Sequence, residues 1–157
     1  MPTPDQKIDV AALRERFLNH VFDEYEFTLD ADRLVTYATS CGETAAKFID
    51  PTHADFQAPP TITSSMYPKN QRPAGFPTFV GIGMDAGKAA TPVLPIRPGV
   101  PITARTHMHD IYTKSGRSGR MIFFVDRMEF TDPNGQHLAS ADTSTVIREI
   151  PTASEPE

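Results

Sequence analysis

Apolar residues along the chain follow a helical period near the start and a strand period near the end. From Asp9, which can cap a helix, the run AALRERFLNHVF places Leu13, Phe17, His20 and Val21 on one side and predicts a short leading helix. YEFTL then reads as a brief strand. Asp30 can cap a second helix that carries Leu34, Tyr37, Ala38 and Cys41 on one stripe and stops at Gly42. After Pro101 three β-type runs follow, at 102–114, 120–130 and 136–149, parted by SGRSG and TDPNG. They predict an antiparallel meander, and Asn134-Gly135 tolerates the positive φ angles of its second turn. In the middle run Met121, Phe123 and Val125 face away from Ile122 and Phe124. Its first half is therefore apolar on both faces and has to be covered on both, by a helix and by something else.

Between these patterned regions the text changes. Nine of the fifteen prolines fall between Pro51 and Pro98, so no long regular element is expected through residues 44–100. Residues 1–8 and 151–157 are proline-rich and polar and read as loose ends around a single domain at 9–150. The length of 157 residues suits one domain with a real core.

Charge and cysteine usage narrow the function. Fifteen basic against twenty acidic residues leave a net charge of −5, the wrong sign for gripping a nucleic-acid backbone. No apolar run approaches the roughly 18 residues that cross a bilayer, and the first thirty residues lack a signal-peptide pattern, so a cytoplasmic protein is expected. Cys41 is the only cysteine, which excludes a disulfide framework or a multi-thiolate metal site within one chain. A helix lying on a curved antiparallel sheet is an α+β arrangement; hot-dog, ferredoxin-like and cystatin-like sheets all fit it.

The run from Tyr25 to Pro60, YEFTLDADRLVTYATSCGETAAKFIDPTHADFQAPP, resembles the MaoC-like hot-dog family of acyl-thioester hydratases and dehydratases, and in particular its non-catalytic, N-terminal type half. LPIRPGVPITA, DIYTKSGRSGRMIFFV and DPNGQHLASADTSTVIRE resemble the same subfamily's closing sheet. The resemblance implies a hot-dog fold with a long central helix wrapped by the sheet. Catalytic members carry G-D-x-N-P-[ILV]-H-x-D-P-x-x-A after that helix. Here the frame stands at Gly42, Asp50, Pro51 and Ala54, while Glu43 replaces the catalytic aspartate and Phe48 the catalytic histidine. Hydrating an enoyl thioester takes one group to activate water and one to protonate the α-carbon, and phenylalanine does neither. The His-Gly pair whose glycine amide helps bind the thioester oxygen is replaced by Ala58-Pro59-Pro60-Thr61, and proline has no amide hydrogen to donate.

The resemblance implies a subunit without a complete acid–base pair, working with a second hot-dog subunit in a homo- or heterodimer, on acyl-CoA or an acyl-carrier thioester, with no cofactor. Glu43, or Asp50 with His53, are the residues a self-sufficient hydratase or thioesterase would have to use; the bland reading is an exposed glutamate, a turn-forming aspartate and an exposed histidine. Lys114, Arg117 and Arg120 cluster at the SGRSG turn, where they can attract the phosphates of coenzyme A or of a carrier's phosphopantetheine, or simply keep the turn soluble. Phe48, Phe76, Phe79, Ile82 and Met84 are candidates for an acyl tunnel, or ordinary core. His107 and His109 share a strand face at a spacing used by metal sites, but no third ligand is evident, Asp110 is expected on the opposite face, and no metal is assigned. Cys41 reads as a buried small hydrophobe rather than a nucleophile. A third function class, an acyl-thioester binding or scaffold module, also fits.

Overall fold

The computed structural model describes residues 8–117 and 119–149. Asp9 caps helix α1 (Val10–Phe17), its carboxylate accepting from the Ala12 amide. Asn19 then adopts the left-handed conformation, φ 61°, and its amide donates to the Met108 carbonyl. The chain turns there before the helix can carry His20 and Val21 on its apolar side. Both are exposed, and Val21 instead opens strand β1 (Val21–Thr28).

Asp30 caps α2 (Ala31–Ser40) through the Arg33 amide, and Gly42, at φ 77°, lets the chain leave it. Leu34 and Ala38 are buried, Leu34 in the cluster with the sheet, whereas Cys41 is the exposed C-cap and not part of the buried stripe. At ten residues α2 is a short central helix rather than a long one. A single turn, α3 (Ala46–Ile49), and a 3-10 turn (Pro60–Ser65) follow, then β2 (Ile82–Pro92), β3 (Pro101–Gly116), β4 (Gly119–Thr131) and β5 (His137–Arg148).

The strands form one antiparallel sheet in the order β1-β3-β4-β5-β2, with the expected β3-β4-β5 meander at its centre. The sheet and its helices make the α+β hot-dog architecture. Strand β2 runs for eleven residues through the stretch where no long element is expected. Residues 78–91 hold no proline, so the ladder is not interrupted, and Pro92 ends a strand that, among the described residues, pairs with β5 alone. An almost wholly exposed edge strand has no apolar alternation by which to be recognised.

Helices and loops pack on one face of the sheet, over two apolar clusters. One joins Leu34 of α2 to Ile62, Ile102, Ala104, Met128 and Phe130. The other joins Leu13 and Phe17 of α1 to Met108, Ile111, Ile122 and Phe124. Ile8, expected in the loose N-terminal end, is buried in this second cluster; residues 151–157 lie outside the described residues. A bulge between Met108 and Asp110 shifts the buried phase of β3 from Ile102, Ala104, Thr106 and Met108 to Ile111, which keeps the inner face apolar beyond the end of β1.

Candidate functional site

The loop that follows α2 carries the positions where family chemistry would reside. The Glu43 amide donates to the Ala38 carbonyl at the helix end, and its side chain is half-exposed. Five residues on, Phe48 is buried on α3, so the position of the signature histidine holds a packed ring. Asp50 is exposed; both the hydroxyl and the amide of Thr52 donate to its carboxylate, and these bonds hold its pKa below the ordinary carboxylate value. His53 is also exposed, and its Nδ1 accepts from the Asp55 amide at 3.0 Å. Asp50 and His53 are linked through backbone, His53 N–H to Asp50 carbonyl, with no side-chain hydrogen bond between them. An ionised, solvated turn aspartate beside a histidine bonded to a backbone amide is the geometry of a loop fastener.

Beyond that loop the Ala58 amide donates to the Ile96 carbonyl at 2.8 Å, and Pro59 and Pro60 have no amide to offer. Along Ala58-Pro59-Pro60, then, no backbone N–H is free to donate to a substrate oxygen. These residues border a groove of about 260 Å³ whose other walls include Pro92, Leu94, Pro95 and Ile96. Gln57 is its one polar side chain, and none of its lining residues titrates. Val93 and Leu94 stand exposed at its rim. Such a surface can hold an apolar chain but cannot move a proton.

The tunnel candidates fall into three places. Phe76 and Phe79, rings 5.8 Å apart, pack on Phe124 at 5.5 and 5.8 Å, and Phe76 also meets Phe17 at 5.0 Å. Phe48 belongs to the loop after α2, away from that aromatic group. Ile82 and Met84 are exposed on β2, in register with Arg148 and Val146. Lys114 and Arg117 are exposed near the turn, but Arg120 points elsewhere, donating to the Ile8 carbonyl and pairing with Glu149. His107 and His109 do lie side by side, with ring centroids 5.6 Å apart. The bulge brings Asp110 into register with Val125, onto the face that His107 shares with Arg127 and not the opposite one. Burial lowers the His107 pKa, opposed by Glu129, and among the described residues no three His, Cys, Asp or Glu side chains could hold a metal.

Pattern reading missed a second set of polar residues, beneath the segment 66–79. Asp23 is buried and accepts from the amides of Lys69 and Asn70 and from the Asn70 side chain. Asp126 is buried too; it pairs with Arg72, whose other nitrogen donates to Thr145 and whose guanidinium lies over Phe76 and Phe124. Burial pushes the Asp126 pKa up, and the Arg72 charge pulls it back. Its second oxygen and the Thr106 hydroxyl have no hydrogen-bond partner among the described residues. A signal was present in the sequence. Asp126 stands in phase with Ile122, Phe124, Met128 and Phe130, all buried, so a charge on that face had to find a partner.

Against known proteins, the family profile described as "FAS1-like, dehydratase domain region" matches residues 16–141. No curated protein matches. A MaoC-like dehydratase from Phytophthora capsici superposes with TM-score 0.62 at 20% identity over 89% of this chain and 50% of that one, so the chain spans half of that relative's length. The ChsH1-ChsH2 complex of Mycobacterium tuberculosis gives TM-score 0.64 at 14% identity over 93% and 92%. The C-terminally truncated HadBC complex from the same organism, a 3R-hydroxyacyl-ACP dehydratase, gives 0.60 at 15% over 83% and 96%. At these identities the structures speak for the fold. The profile covers most of the sequence, and the chain belongs to the FAS1-like dehydratase-domain family of MaoC-like hot-dog proteins.

Proposed function

We propose that this chain is the non-catalytic, substrate-binding half of an acyl-thioester hydratase or dehydratase, completed by a second hot-dog subunit that brings the acid–base pair. The observation that carries the reading is the buried Phe48 at the signature histidine position; the groove at Ala58, Pro59 and Pro60 likewise has no titratable side chain. Phe48 cannot carry a proton and neither Ala58, Pro59 nor Pro60 offers a free amide, which supports an acid–base pair and an oxyanion donor supplied by the partner.

What the chain offers is a place for the acyl group and an edge for a partner. The apolar groove beside Pro59 and the Phe76/Phe79 aromatic group are surfaces for the chain of the thioester, and Lys114 and Arg117 are exposed cations for its phosphates. Among the described residues strand β2 pairs with β5 on one side only, which leaves a row of backbone groups able to extend a sheet into another subunit. Two of the similar structures are complexes of differently named chains, which supports a hetero-pair. No helix among the described residues is long and apolar enough to cross a membrane, and we place the pair in the cytoplasm. Co-purification with tagged chain, followed by hydration of a crotonyl thioester by the pair and by the chain alone, tests the reading. Activity in the pair only is the expected result, and turnover by the isolated chain overturns it.

A further inference from the structure

The chain between the 3-10 turn and β2 is fastened unevenly. Its first part is tied down, Lys69 and Asn70 to Asp23 and Arg72 to Asp126 and Thr145, and Pro73 is buried. Its far end is fixed at Gly81, which sits so close to β5 that a Cβ there would lie 2.7 Å from the Arg148 carbonyl oxygen and from Ile147. Between these points, among the described residues, no hydrogen bond ties residues 74–80 to the sheet or to α1. The one backbone bond is a turn, the Phe76 amide donating to the Pro73 carbonyl. Five of these seven residues are exposed, Val80 at 64%, and the two that are half-buried are Phe76 and Phe79.

What those two rings cover is an apolar floor. Phe124, Ile111 and Ile122 are fully buried and Phe17 nearly so, and Phe76 and Phe79 close over them. Gly75, at φ 74°, lies beside the guanidinium of Arg16, which is exposed and has no ion pair among the described residues.

We propose that residues 74–80 are a flap, hinged at Pro73 and Gly81, that swings off Phe124 so that the acyl chain of a thioester takes the place of the Phe76 and Phe79 rings. The proposal rests on the substrate-binding role given above and adds the route by which a chain reaches an aromatic group that is otherwise closed. A segment fixed at both ends and held in the middle by two rings alone opens without disturbing the sheet, and lids over binding sites are drawn from such weakly held segments. The chemistry of the opening selects the occupant. An apolar chain replaces ring contacts in kind, and the Arg16 cation at the lip attracts the anionic carrier at the other end of the thioester.

Two readouts on the full chain test this. With Cys41→Ser as background, because the native thiol is exposed, Ile122→Cys places a thiol in the cluster that the flap closes and Ile102→Cys places one in the other cluster. A small thiol reagent is expected to label Ile122→Cys about tenfold faster or more, since Ile102→Cys is reached only when the whole domain opens. Phe79→Trp gives the chain its only tryptophan. ω-Bromodecanoyl-CoA is expected to quench most of its emission, and coenzyme A alone to leave it unchanged. Equal labelling of the two thiols overturns the flap. Calorimetric binding of the brominated thioester without quenching puts the acyl chain elsewhere and overturns this proposal alone, leaving the substrate-binding role intact; no binding overturns both.

Discussion

Two regions of this molecule place acidic groups close to apolar core, and they do so in opposite ways. In the loop after α2, Asp50 and His53 are solvent-facing, Glu43 is half-exposed, and the buried side chain at the signature is Phe48. Beneath the segment 66–79, Asp23 and Asp126 are buried, and each is committed to that segment, Asp23 to Lys69 and Asn70 and Asp126 to Arg72. A catalytic acid or base needs partial burial to tune its proton affinity and freedom to reach a substrate. The first region has the freedom without the burial. The second has the burial without the freedom, since its carboxylates fasten a strap of chain across the sheet. The two halves of the requirement are divided between Asp50 and His53 on one side and Asp23 and Asp126 on the other, which is a physical ground for reading the chain as a wall of a site rather than its engine.

The strongest way to break this comparison is to cut the strap. Asp126→Ala leaves the Arg72 guanidinium against Phe76 and Phe124 without its counter-charge. A loss of about 2–3 kcal/mol is expected in urea denaturation, below the roughly 3–5 kcal/mol of a fully buried broken pair because Arg72 keeps contact with solvent. Arg72→Met in the Asp126→Asn background is expected to recover much of it, since removing both charges also removes the unpaired one. If Asp126→Ala is neutral for stability, the carboxylate is not a fastener and becomes a candidate for chemistry.

A smaller effect is expected at the other anchor. Asp23→Ala costs about 1–2 kcal/mol through the lost bonds to Lys69 and Asn70, and hydrogen exchange at those two amides accelerates ahead of the rest of the sheet. Uniform acceleration over the whole domain contradicts a local strap.

The pH dependence sharpens the same contrast. Because the folded Asp126 pKa is raised above its unfolded value of about 3.9, its contribution to stability is complete below that value and is lost as the pH rises through the folded pKa. Relative to Asp126→Asn, the wild-type chain is therefore expected to lose ground between acid and neutral pH. Asp50, whose pKa is lowered, has the opposite sign, with stabilisation present above the unfolded value and fading on acidification. Paired chemical denaturations across pH 3–7 read both slopes.

The smallest effects belong to the loop itself. Glu43→Gln and His53→Ala are expected to change stability by less than about 0.5 kcal/mol, as surface substitutions do, and to leave the turnover of a reconstituted pair unchanged. A large fall in turnover from either one restores that residue to the chemistry.

How much of this was legible in the sequence depended on how far apart the cooperating residues lie. Asp9 and Asp30 announce helix starts through contacts three residues away, Gly42 marks the end of α2, and β3 to β5 show their alternation locally. Phe48 at the histidine position is likewise a matter of register within one motif. Strand β2 was hidden because an exposed edge carries no apolar phase, and Cys41 was misplaced because the helix ends one residue before it. The ties that decide the rest span long stretches of chain, Arg120 to Ile8, Arg72 to Asp126, Asn70 to Asp23, and no periodicity encodes such a pairing. The bulge in β3 belongs to the same group: by turning Asp110 onto the face of His107 it reverses a side assigned by simple alternation.

The division of labour is tested most directly by the hydration rate of a crotonyl thioester with the purified chain alone, with a hot-dog partner that carries the intact aspartate and histidine, and with that partner after its histidine is replaced. Background rate alone, turnover in the pair and loss of turnover with the altered partner is the predicted outcome. Turnover by this chain alone, unaffected by the partner's histidine, contradicts it.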